Sequence, residues 1–155
     1  MILEKFLMVR DRGRKSQRSR RENTRDERKI VQIRELLTFS FKYLDQTQPS
    51  RKCESIELWE EKKLLKALFS RVIDLSKLTR EEAVQQQQIK IYGDFPPDNK
   101  TSFFHPKHVD QNVPWAAIEG IGGKPRIAGF ISESTFYVIF LDSEHQFWHS
   151  DKKNT

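Results

Sequence analysis

Six consecutive apolar residues, Phe136–Leu141 (FYVIFL), constrain this chain more than any other feature. Every one is aromatic, β-branched or leucine. A run this short, bounded by turn residues, fits a strand buried on both faces. It lies inside Lys124–Trp148 (KPRIAGFISESTFYVIFLDSEHQFW), which reads as two strands joined by a short turn. The first strand carries Arg126, a charge among apolar neighbours. Asp142, Glu144 and His145 follow the exit of the second, then Phe147, Trp148 and His149. If the strands pair, a guanidinium and an imidazole share one small sheet, and chemistry is expected there.

The charge lies elsewhere. The chain has 155 residues and a net charge of +6. Arg10–Lys29 alone holds ten Lys/Arg and four Asp/Glu, a net of +6, so the rest is balanced. That segment has no apolar residue and can bury no face, so alone it is disordered or a solvated helix. We read residues 1–32 as a basic arm and 33–150 as a single domain. Arginine dominates the arm, and guanidinium suits phosphate. Arg14, Lys15, Arg18, Arg20 and Arg21 are its expected nucleic-acid contacts.

No apolar stretch approaches the length needed to span a bilayer, and no signal peptide is recognisable at the start. The single cysteine, Cys53, cannot form an internal disulfide, which fits a cytoplasmic protein. No membrane is expected as a partner.

Leu37, Phe39, Phe41 and Tyr43 alternate with polar residues, the pattern of a half-buried strand. Asp45–Lys52 is a loop. Ser55 is placed to cap a helix of about twenty residues, whose stripe includes Leu58, Leu65, Leu68, Val72 and Leu75. Thr79 with Glu82 forms a capping box for a second, shorter helix. Ile89–Tyr92 is a short strand and Gly93–Asn112 a long loop, a length that favours function or mobility. Trp115–Ile118 is a strand, and Gly120, Gly122 and Gly123 make a permissive turn. The expected fold is therefore α+β: strand, helix, helix, then a small antiparallel sheet of three to four strands with the helices on one face.

All four histidines, 105, 108, 145 and 149, lie in the last third. Imidazole suits acid–base work and RNA contact near neutral pH. His105-x-x-His108 is a candidate metal pair with Asp142 or His145, but Pro106 between them disfavours the helical turn that would join them. No metal or cofactor is expected. Arg126 is suited to clamp a phosphate and His145 to move a proton of a ribose hydroxyl. Trp148 is suited to stack on a base. The structural alternative is an ion pair from Arg126 to Asp142 or Glu144, with Trp148 closing the core.

The order strand–helix–helix–strands, with PRIAGF, FYVIFLD and SEHQFW in its last part, resembles the RelE/ParE-like toxins of bacterial toxin–antitoxin systems over about residues 37–149. Arg126 resembles the family's strand arginine, His145 its basic residue after the last long strand, and Trp148 its terminal aromatic. The family's terminal arginine is a histidine here, and its terminal tyrosine a tryptophan. The resemblance implies a metal-independent endoribonuclease with RNA, and the ribosome, as partners and an antitoxin protein as binding partner. In that reading Arg126, His145 and Asp142 are catalytic, and Lys107, His105, His108 and Trp148 line the RNA. The alternative is a non-catalytic nucleic-acid-binding or inhibitor protein that acts through its arm.

Overall fold

The computed structural model describes residues 35–149, and from Leu36 onward these belong to one compact unit. Arg14, Lys15, Arg18, Arg20, Arg21 and the rest of the expected arm lie outside the described residues. Within them the fold is mixed α+β, with three α-helices and a five-stranded sheet. No helix among the described residues is long and apolar enough to cross a membrane.

The strands are β1 (Thr38–Ser40), β2 (Lys90–Gly93), β3 (Trp115–Ile118), β4 (Arg126–Ser132) and β5 (Thr135–Asp142). Their order across the sheet is β1-β5-β4-β3-β2. The last four form an antiparallel meander, with β4 and β5 joined by a tight turn and β2 and β3 by the long connection 94–114. The fifth strand is β1, which pairs in parallel along the outer edge of β5. This corrects the expected count of three to four. The alternation from Leu37 to Tyr43 does not all become strand. Only Thr38–Ser40 pair, and the chain then turns back, with Leu44 N–H donating to Phe41 O at 3.1 Å.

The apolar run behaves as its composition requires. Phe136, Val138, Ile139, Phe140 and Leu141 are at most 1% exposed. Strict alternation is broken once, where Gly129 faces Val138 and Ala128 faces Phe140, leaving Ile139 as a bulge. Phe136, Val138 and Leu141 therefore join the helix-side core, while Ile139 and Phe140 join an aromatic core on the other face. Gly129 is obligatory opposite the bulge, because a Cβ there would sit 1.8 Å from Tyr137 O.

The helices α1 (Ile56–Glu61), α2 (Leu65–Leu75) and α3 (Arg80–Gln85) supply one covering layer. Both expected caps form: Ser55 Oγ accepts from Leu58 N–H and Thr79 Oγ1 from Glu82 N–H. The single twenty-residue helix does not form, since the chain breaks between α1 and α2. Lys63 takes φ 58°, with Leu64 N–H donating to Trp59 O and Lys63 N–H to Glu60 O. This pair of bonds is a Schellman closure, with lysine where glycine is usual. The break lets Trp59 and Leu68 both face the sheet, and each is buried. A fully buried side chain of this size contributes about 1.5–3 kcal/mol, enough to outweigh a strained turn residue at about 1–2 kcal/mol.

The opposite face is covered by the long connection 94–114. Phe103 and Val109 bury into the aromatic core beside Trp115, Phe140 and Phe147. Gln48 fastens the connection through Phe104, donating from Nε2 to its carbonyl at 3.0 Å and accepting from its N–H at 2.6 Å. The connection is thus a structural layer, which explains why β5 is apolar on both faces.

Candidate functional site

At the far end of the sheet from the β4–β5 hairpin, a groove of about 680 Å³ runs along β2, from Val84 on α3 to the exit loop after β5. Alternation along the strands decides which of its charged and aromatic side chains share a face. On β2, Lys90 and Tyr92 project to one face. On β3 the face that carries Trp115 and Ala117 continues to Glu119, and on β4 it begins with Arg126. The exit loop after β5 adds His145, Trp148 and His149, and Gln87 and Gln88 close the rim. The structure therefore gathers Arg126, His145 and Trp148 in one concavity, three of the residues singled out from the sequence.

Arg126 is only 18% exposed in its side chain. Its Nη1 donates to the carbonyls of Gly123, Lys124 and Pro125 at 2.5–3.2 Å. Its Nη2 lies 3.2 Å from Glu119 Oε2. The ion pair is thus made to Glu119, and neither Asp142 nor Glu144 forms it. Glu144 instead lies between Lys62 at 2.9 Å and Lys124 at 2.6 Å. Those two ammonium groups hold its carboxyl down to about 2.

Asp142 faces Arg126 in the β4–β5 register but turns its carboxylate into the exit loop. It accepts from Gln146 N–H at 2.8 Å and Phe147 N–H at 2.9 Å, and is fully buried. Burial raises its pKa, against those two bonds. The geometry gives Asp142 a loop-bracing part, which its sequence position beside His145 did not reveal.

The loop is fastened nearly residue by residue. Ser143 donates from both N and Oγ to the buried Glu54 carboxylate, at 3.1 and 2.7 Å, and Trp59 Nε1 donates to the same carboxylate at 2.9 Å. Gln146 O accepts from Ser102 N–H at 3.0 Å, and His149 N–H donates to Lys100 O at 2.7 Å. Between these anchors His145 is held at φ 57°, a conformation non-glycine residues rarely take. Burial first, and the Arg126 charge second, depress its imidazole pKa below the ordinary 6.5. The ring is therefore neutral at pH 7, and able to accept a proton. The His149 ring lies 3.1 Å from Ser102 Oγ.

Trp148 is not a free platform on both sides. Tyr92 stacks on it at 4.6 Å with rings 4° from parallel, and Lys90 Nζ lies 5.0 Å over the Tyr92 ring. Burial raises the Tyr92 pKa.

His105, Lys107 and His108 are not brought to this groove. They sit on the long connection, at the end of β3 that starts with Trp115. The His105 ring packs 5.3 Å from both Phe95 and Trp115. His108 Nε2 bonds Tyr43 O at 2.9 Å, and Lys107 is exposed. Among the described residues no three His, Cys, Asp or Glu side chains converge as a metal-holding set.

Four groove residues were missed from the sequence: Lys90, Tyr92, Glu119 and His149 as a partner of His145. Two left a signal. Lys90-x-Tyr92 in a strand must share a face, and Glu119 extends the alternation of Trp115 and Ala117. Searches against family models, curated proteins and solved structures return no match for this chain.

Proposed function

We propose that the groove binds RNA and cleaves it by metal-independent acid–base chemistry, in the manner of a toxin-like endoribonuclease. The observation that carries this reading is His145, a neutral imidazole held in a left-handed conformation and lining a concavity with Arg126 and His149. Backbone strain of this kind costs on the order of 1–3 kcal/mol and tends to collect at functional sites. In the proposed step His145 takes the proton of the ribose 2′-hydroxyl. The 2′-oxygen attacks phosphorus, the bond to the 5′-oxygen breaks, and His149 gives that oxygen its proton. Lys90 and Arg126 offset the charge on the phosphate oxygens. Trp148, backed by Tyr92, stacks on a flanking base through its other face. The arginines of residues 10–29 add sequence-independent phosphate contacts. By the same resemblance an antitoxin would be the protein partner.

The test is cleavage of a fluorogenic RNA oligonucleotide by the full chain in excess chelator. Product ends carrying 2′,3′-cyclic phosphate, lost in His145→Ala and His149→Ala, support the reading. Cleavage equal in both variants sinks it.

One observation favours a second reading, a binding protein without catalysis. Both terminal nitrogens of Arg126 are already engaged by carbonyls and Glu119. Under it, replacing Arg14, Lys15, Arg18, Arg20 and Arg21 with Gln abolishes RNA binding, and His145→Ala changes nothing.

A further inference from the structure

The groove holds one anion of its own. Glu119 is the only carboxylate among its lining residues, and it sits on Arg126, the most deeply set cation there. We infer that Glu119 is an internal counter-anion occupying the phosphate subsite of the groove, and that an incoming phosphate binds by displacing it. This deepens the proposed function and rests on that reading for the identity of the natural ligand as RNA.

The two partners are unequal in a way that suits displacement. The Arg126 side chain is 18% exposed and fixed by three carbonyls, whereas the Glu119 side chain is 63% exposed. Only the carboxylate is free to leave. Its backbone is not: Arg71 Nε donates to Glu119 O at 2.9 Å. The next residue, Gly120, takes φ 88°, and a Cβ on it would lie 2.9 Å from Arg71 Nε. Arg71 also bonds Gln88 Oε1 on the groove rim. Opening the subsite therefore needs a side-chain rotation about a fixed backbone, with no loop movement. A carboxylate oxygen and a phosphate oxygen are alike as charged acceptors for a guanidinium N–H, so a phosphate oxygen can replace Glu119 Oε2 on Arg126 Nη2. With Glu119 in place, a weak anion gains little by competing. A phosphate held at the same time by Lys90 and by stacked bases gains enough. Glu119 thus raises the threshold for occupancy and favours an extended phosphodiester chain over a lone phosphate.

The experiment compares the full-length wild type with Glu119→Gln, using inorganic phosphate alone and, separately, a 2′-deoxy oligonucleotide that cannot be cleaved. Glutamine keeps the shape and removes the charge at an exposed position, and thermal melting checks that the fold is kept. The expected result is phosphate binding about fivefold tighter in Glu119→Gln, as for release of a partly exposed ion pair, with a smaller gain for the oligonucleotide. The gain should vanish in Glu119→Gln combined with Arg126→Gln. Equal or weaker phosphate binding by Glu119→Gln, or no phosphate binding by either protein, overturns the inference. Tighter phosphate binding without any RNA cleavage leaves the inference standing and removes the catalytic reading.

Discussion

Two histidine pairs in this molecule have the same chemistry and opposite settings. His105 and His108 lie on the long connection 94–114. There one ring packs on Phe95 and Trp115, and the other bonds Tyr43 O. His145 and His149 lie on the exit loop after β5 and line the groove. The first pair secures a covering layer by its rings. His145 is secured by its neighbours, leaving its ring to the groove, while the His149 ring lines the groove with Ser102 Oγ 3.1 Å away. Imidazole is informative only when the backbone around it, and not the ring, makes the structural bonds.

The largest effect should come from the exposed side of that comparison. His145→Ala is expected to lower RNA cleavage about a thousandfold while the melting temperature of the full chain stays near that of wild type. A matching loss on His108→Ala would erase the distinction between the pairs. Next is the brace beneath His145. Asp142→Ala strands two buried N–H groups and should cost about 3 kcal/mol in urea unfolding, a loss that an unfolding midpoint near wild type would refute.

His145→Gly separates strain from chemistry. It relieves the left-handed φ and should raise stability by about 1 kcal/mol, with cleavage abolished. Lower stability in that variant would mean the ring is structural after all. On the other pair, His108→Ala should cost about 1 kcal/mol, one hydrogen bond, and leave cleavage within about twofold.

The smallest effect is in pH dependence. Because the His145 pKa is depressed, the folded state binds fewer protons than the unfolded state just below pH 6.5. Stability therefore rises with pH through that window and falls on acidification. The acid limb of kcat/KM should lie below 6.5. Arg126→Gln removes the second cause of the depression and should move that limb upward, whatever it does to the rate. A limb that stays in place would separate Arg126 from the imidazole.

Much of the frame was legible because it follows local rules. Ser55 and Thr79 cap as side-chain chemistry demands, and Phe136–Leu141 is buried on both faces as its composition demands. What was not legible depends on partners distant in sequence. The break at Lys63 has no glycine to announce it and follows from fitting Trp59 and Leu68 to one sheet. Glu54 reads as a loop acid, yet its carboxylate holds Trp59 on one side and, on the other, Ser143, which lies 89 residues beyond Glu54. Within the site, Arg126, His145 and Trp148 were found because they bracket two obvious strands. His105, Lys107 and His108 were misplaced, since a long connection gives no register and its fold path is set by Phe103, Pro106 and Val109 sinking into the core.

The parallel pairing of β1 with β5 sets an order of events in time. Thr38 meets Thr135, 97 residues later, and Thr38 Oγ1 lies 2.8 Å from Thr135 Oγ1. Closing a loop of that size is entropically expensive and slow, so this edge of the sheet should be the last to form. During synthesis β1 must wait, unpaired, until β5 has emerged, while the β3–β4 and β4–β5 pairs zip locally. The groove belongs to the meander side, and should therefore acquire its shape before the sheet is complete.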